Sequence, residues 1–181
     1  MILDGYWKKE LKHISRQLCF WTKHRLFYND RYIEHKVNRA FLFSAAIIRK
    51  IIEDEKDVEN TIKKHNQVDD EKPWSIPELP IIKIKVPIIK YKYIAEDKFF
   101  VNSRVFIRDY DTKNSSGEHI SLDCVCNQII HSYAWQVVYK DMKNVHGVMM
   151  ASDWYLEKEA YLVTVSDWIK VINTVVNKSC I

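Results

Sequence analysis

The chain has 181 residues, 47% of them apolar, and a formal net charge of +4. That supports a core of domain size and excludes a disordered chain. Its three glycines are too few for the Gly-rich loops of Walker-type and dinucleotide-binding enzymes, so no nucleotide cofactor is expected. The longest apolar run, Ala40 to Ile48, contains Ser44 and falls short of the roughly 18 residues that cross a bilayer, which excludes a membrane-embedded protein.

Charge is unevenly spread. Residues 1 to 50 hold eleven Lys and Arg against four Asp and Glu, a basic half suited to an acidic partner such as RNA or DNA, or simply to solubility. The opening MILDGYWKKELKH is charged where a secretory leader is apolar. Cys19, Cys124, Cys126 and Cys180 follow no disulfide framework, so free thiols in a reducing, cytoplasmic setting are expected.

Asp4 to about Leu26 reads as a first helix, with Trp7, Leu11, Ile14, Leu18 and Trp21 on one stripe. After Asn29 and Asp30, a second helix runs to roughly Asp54 with Ile33, Val37, Phe41, Ser44, Ala45, Ile48 and Ile52 inward and Arg49 paired to Glu53. From Glu53 to Lys72 the chain is charged and poor in large apolar residues, which reads as a fraying helix end and a solvated connector. Ile82, Ile84 and Val86, then Ile89, Tyr91 and Tyr93, alternate with lysines as two edge-type strands around Pro87. Phe99 to Asp109 reads as strand or short helix. DTKNSSGE reads as a loop.

Ser121 to Tyr139 reads as one helix capped by Ser121, with Leu122, Val125, Cys126, Ile129, Ile130, Tyr133 and Val137 on its core stripe. His146 to Ser152 and Ala160 to Val165 read as an antiparallel hairpin. Ser166 and Asp167 open a final helix that buries Trp168, Val171, Ile172 and Val175. The expectation is a single α+β domain. It comprises a basic helical part (1–56), a charged connector (57–76) and a mixed part (77–181) with a small antiparallel sheet, a central amphipathic helix and a carboxy-terminal helix.

Asp123, Asn127, His131 and Trp135 form an i, i+4 row that turns progressively away from the core stripe of the predicted central helix, with His131 almost opposite its centre. Within it, CNQIIH, Cys126 to His131, resembles the active motif of HEPN-domain ribonucleases, in which an Arg, usually followed by a polar residue such as Asn, precedes a His by about five positions. The likeness covers six residues, and Cys126 stands where the family has Arg. It implies RNA as substrate, a symmetric homodimer that brings two motifs together, and a role in toxin or antiviral systems. Carried over, His131 is the general acid or base and Asn127 orients the substrate or the ring. The missing cation would have to come from elsewhere, with Arg39 or Arg49 as the candidates. The same spacing also describes an ordinary surface Asn and His.

A metal site among His119, Cys124, Cys126, His131 and His146 is not expected, because Cys124 and Cys126 point 200° apart on a helix and no C-x-x-C pair is present. Around the first helix, Lys8, Lys9, Lys12, Arg16, Lys23 and Arg25, with Trp7, Trp21 and Tyr28, resemble a phosphate-tracking face with stacking aromatics, with Arg39 added from the second. The alternative is a non-catalytic interaction protein that docks through its Ile/Lys strands or exposed tryptophans.

Overall fold

Apolar side chains at helical spacing build the amino-terminal half. In the computed structural model, which describes residues 4–23, 31–68, 73–75, 80–95, 109–140 and 144–178, helix α1 spans Asp4–Lys23 and helix α2 spans Arg31–Val68. Leu11, Ile14 and Leu18 of α1 are buried, as are all seven inward positions expected of α2, and Trp7 and Trp21 pack at the edge of the same core. Arg25 and most of Phe99 to Asp109 lie outside the described residues.

Helix α2 outruns its expected end near Asp54 and continues to Val68, so most of the segment read as a connector is helical. Lys50–Asp54 at 2.9 Å and Glu59–Lys63 at 2.6 Å pair across single turns there, and Ile62 is buried. Charge periodicity thus supports helix where apolar content is low. The buried Glu55 accepts the N–H groups of Ile81 (3.2 Å) and Ile82 (3.1 Å), tying the turn before the first strand to α2. Burial pushes this carboxyl above the ordinary glutamate range, against the opposite pull of the two backbone donors.

The second half supplies β1 (Lys85–Lys92), β2 (Ser116–Ser121), α3 (Leu122–Ile130), β3 (Ser132–Lys140), β4 (Asn144–Ser152), β5 (Glu159–Thr164) and α4 (Val165–Lys178). The strands form one sheet in the order β2-β1-β5-β4-β3, with every neighbouring pair antiparallel. Among the described residues, four helices and a segregated antiparallel sheet make an α+β fold. Alternation along the strands divides the sheet into two faces. Val86, Ile88, Val137, Val148, Met150, Tyr161 and Val163 meet residues of all four helices in one core, whereas Met149, Ala151, Ala160 and Leu162 face the other way toward Tyr110. No helix among the described residues is long and apolar enough to cross a membrane.

Three local expectations are corrected. The predicted helix from Ser121 to Tyr139 stops at Ile130, and Ser132 to Lys140 is strand β3. Tyr133, Trp135, Val137, Val138 and Tyr139 are β-formers, and their pairing with β4 outweighs the coincidence that Tyr133 and Val137 continue a helical period from Ile129. Second, the two edge strands around Pro87 are a single strand with neighbours on both sides. Pro87 is tolerated because β5 joins β1 only from Ile89 onward, so at Pro87 the strand has one neighbour and its missing amide hydrogen leaves no gap in a ladder. Among the described strands, the Ile/Lys strand is therefore paired on both sides only from Ile89 to Lys90, and the outer strands of the sheet are β2 and β3. Third, the end of the expected loop at Ser116 to Glu118 is the start of β2.

The carboxy-terminal hairpin forms as expected, whereas the cap of α4 is Thr164 rather than the expected Ser166. β4 and β5 form the hairpin, and Thr164 caps α4 by exchanging bonds with Asp167, its Oγ1 accepting from the Asp167 N–H at 3.1 Å. Trp168 is fully buried, stacks on Phe41 with ring centroids 5.6 Å apart, and donates its Nε1–H to Ser44 Oγ at 2.8 Å. Gly147 lies where β3, β4 and β5 meet, and a Cβ there would stand 2.4 Å from the Val163 carbonyl oxygen. Gly147→Ala is accordingly expected to destabilise the fold by about 1–3 kcal/mol. Urea unfolding measures this, and an unchanged midpoint would contradict the close approach.

Candidate functional site

Helix α3 owes its position to two caps. Ser121 Oγ accepts the Cys124 N–H at 3.3 Å at its start, and at its end the His131 N–H bonds to Asn127 O at 2.9 Å while Ser132 Oγ donates to Gln128 O. His131, with φ −99° and ψ 16°, is thus the C-cap rather than a mid-helix residue. This releases its ring at the junction between helix and strand, where it is exposed.

The row Asp123, Asn127, His131 faces α2 along an antiparallel seam. Lys56 Nζ meets Asp123 Oδ2 at 2.7 Å at one end, and Arg49 Nη1 meets His131 Nε2 at 3.2 Å at the other. Spacing along both helices therefore sets Asn127 between these two contacts. Its Oδ1 is buried and has no hydrogen-bond partner among the described residues, an acceptor whose desolvation is uncompensated. Trp135, expected to extend the row, belongs to β3 instead.

Arg49 is shared. Its Nε bonds to Glu53 Oε1 at 3.0 Å, which fixes the guanidinium plane and directs Nη1 at the imidazole. Because a guanidinium only donates, Nε2 of His131 accepts and the ring proton sits on Nδ1. The arrangement holds a cation beside a basic ring nitrogen, with a carboxylate orienting the cation. Those are the parts needed to bind a phosphodiester oxygen and remove a nearby proton.

Position 126 faces the core. Cys126 is fully buried in the shared core, and an Arg at that position would carry its charge inward. Of the two α2 arginines considered as substitutes, Arg49 reaches His131, whereas Arg39 lies on the α1 side of the helix. Burial pushes the Cys126 thiol far up, and the neighbouring Asp123 adds to the effect. Burial also raises the half-buried Cys124, with Asp123 and Glu159 contributing. Both shifts work against formation of a thiolate. Cys19, Cys124 and Cys126 are free thiols, and among the described residues no three His, Cys, Asp or Glu side chains are grouped to hold a metal ion.

On α1, Lys9, Lys12 and Arg16 are exposed and Lys8 is half-buried. Lys23 belongs to the helix, and Arg25 falls outside the described residues. Arg39 is exposed on α2 across a cleft from His13 and Gln17 of α1. Arg39 thus borders α1, whereas Arg49 borders α3. Sequence reasoning passed over Lys56, whose contact with Asp123 joins segments 67 residues apart, and the cleft residues His13, Gln17, Lys36 and Phe43. Their one available signal is helical spacing along α1 and α2. Comparison of the chain with family models, with curated proteins and with solved structures finds no match in any of the three.

Proposed function

We propose that the chain binds and cleaves RNA at the α2–α3 seam, the activity implied by the likeness of Cys126 to His131 to the HEPN motif. The observation that carries the reading is the 3.2 Å approach of Arg49 Nη1 to His131 Nε2, because the cation that the motif lacks in sequence comes from the neighbouring helix. A phosphate bound by Arg49 draws the guanidinium off the ring and frees Nε2 to take the proton of the adjacent ribose 2′-hydroxyl. The 2′-oxygen then attacks phosphorus and the bond to the 5′-oxygen breaks. Arg49 stabilises the charge gathering on the non-bridging oxygens, and Asn127 orients the substrate or the imidazole, as the likeness implies. A second copy, paired as the likeness implies, brings a second His131 to protonate the leaving oxygen. The exposed Lys9, Lys12 and Arg16 guide the strand electrostatically, and a role in toxin or antiviral defence belongs to the same likeness.

The test is titration of labelled single-stranded RNA, and of DNA of the same sequence, across a salt series. The expected result is affinity that falls linearly with log salt, with a slope of about −0.7 per neutralised phosphate, and cleavage of the RNA alone into 2′,3′-cyclic phosphate and 5′-hydroxyl ends. Absence of binding at low salt overturns the reading. Binding without cleavage leaves a protein that only holds RNA.

A further inference from the structure

Helices α1 and α2 diverge around an open cleft of about 250 Å³ that the seam does not use. Glu10, His13, Gln17 and Trp21 reach into it from α1, and Lys36, Arg39 and Phe43 from α2. The lining is sorted by chemistry. Among the described residues neither Lys36 nor Arg39 has a carboxylate partner; Lys36 lies over the Tyr32 ring at 5.1 Å. Trp21 and Phe43 have no stacking partner among the described residues, and Phe43 is 46% exposed. His13 and Gln17 are bonded to each other at 2.8 Å, which holds one wall in place.

Two cations without counter-ions beside two unstacked aromatic rings are the complement of a ligand that is flat and apolar at one end and anionic at the other. We infer that the α1–α2 cleft binds a nucleoside phosphate, with the base on Trp21 and Phe43 and the phosphate on Lys36 and Arg39. The volume lies just under the usual range for small-molecule sites, so it holds one base and leaves the phosphate at the rim, where Arg39 is exposed. Glu10, the one carboxylate among the described lining residues, accepts from N–H groups on the base edge. The cleft is separate from the Arg49–His131 contact and does not depend on cleavage there. The nucleotide is either a free one or one unit of a bound strand.

Calorimetric titration of the full chain with 5′-mononucleotides, with the uncharged nucleosides and with inorganic phosphate tests the assignment. The mononucleotide is expected to bind at least about tenfold more tightly than either fragment. The double variant Lys36→Ala/Arg39→Ala and, separately, Phe43→Ala are each expected to lose about tenfold or more. Lys36, Arg39 and Phe43 are not core residues, so circular dichroism melts should match the wild type, and Arg39→Lys, which keeps the charge, should restore part of the affinity. Displacement of the mononucleotide by a short RNA identifies the strand as its source, and failure to displace identifies the free nucleotide. Absence of mononucleotide binding at millimolar concentration, or binding that both variants leave intact, overturns the inference. If RNA is cleaved while mononucleotides do not bind, the cleft assignment fails alone. If mononucleotides bind through Arg39 while RNA is untouched, the seam assignment fails alone.

Discussion

Replacing His131 by Ala is expected to slow RNA cleavage by about 10²- to 10⁴-fold, the range of a positioned general base, while RNA affinity changes little. The separation follows from geometry. His131 is an exposed C-cap; its backbone N–H bond to Asn127 is kept in the variant and its ring bonds to Arg49 among the described residues, so removing the exposed ring opens no buried cavity. Single-turnover rates with saturating protein measure the effect free of binding. Loss of affinity equal to the loss of rate would assign His131 to holding the strand rather than to proton transfer.

Trp168→Ala is expected to destabilise the protein by about 3–5 kcal/mol. The ring is 0% exposed, lies flat on Phe41 and spends its N–H on Ser44, whose hydroxyl also bonds back to Ala40 O at 2.7 Å. The substitution removes a large apolar volume where α2 and α4 meet, together with the donor that the buried Ser44 oxygen receives. Trp168→Phe keeps most of the volume and removes the donor, and should lose about 1 kcal/mol for the hydrogen bond plus a smaller packing term. Urea unfolding of both variants separates packing from hydrogen bonding, and a loss below about 1 kcal/mol for the Ala variant would contradict this account of the core.

The parts of the fold legible in the sequence are those where local pattern and tertiary environment agree. The stripes of α1 and α2, the β4–β5 hairpin and the inward face of α4 combine clear periodicity with caps or turns that point the same way. Disagreement marks the misreadings. Val137 continues a helical period from α3 yet sits in a strand, because its partners across the sheet on β4 are remote in sequence. Pro87 argues locally for a sheet edge, yet the staggered start of β5 allows β1 an interior place. Charged Glu53 to Val68 lacks the apolar stripe of a core helix, and its i, i+4 ion pairs supply what periodicity does not.

Legibility of the candidate site divides in the same way. The spacing of Asp123, Asn127 and His131 on one row could be read directly, as could the pairing of Arg49 with Glu53. That Arg49 rather than Arg39 faces His131 depends on which flank of α2 receives α3, a matter of packing between residues 82 positions apart. The α1–α2 cleft depends likewise on how two helices diverge, and no linear spacing encodes it.

The most direct test of the central claim is a double-variant cycle on the rate of RNA cleavage with Arg49→Ala, His131→Ala and the pair together. Since Arg49 and His131 act on one phosphodiester as a unit, each single variant should fall at least about 100-fold and the double variant little further. Wild-type protein that leaves RNA intact, or single variants that cleave at the wild-type rate, would contradict it.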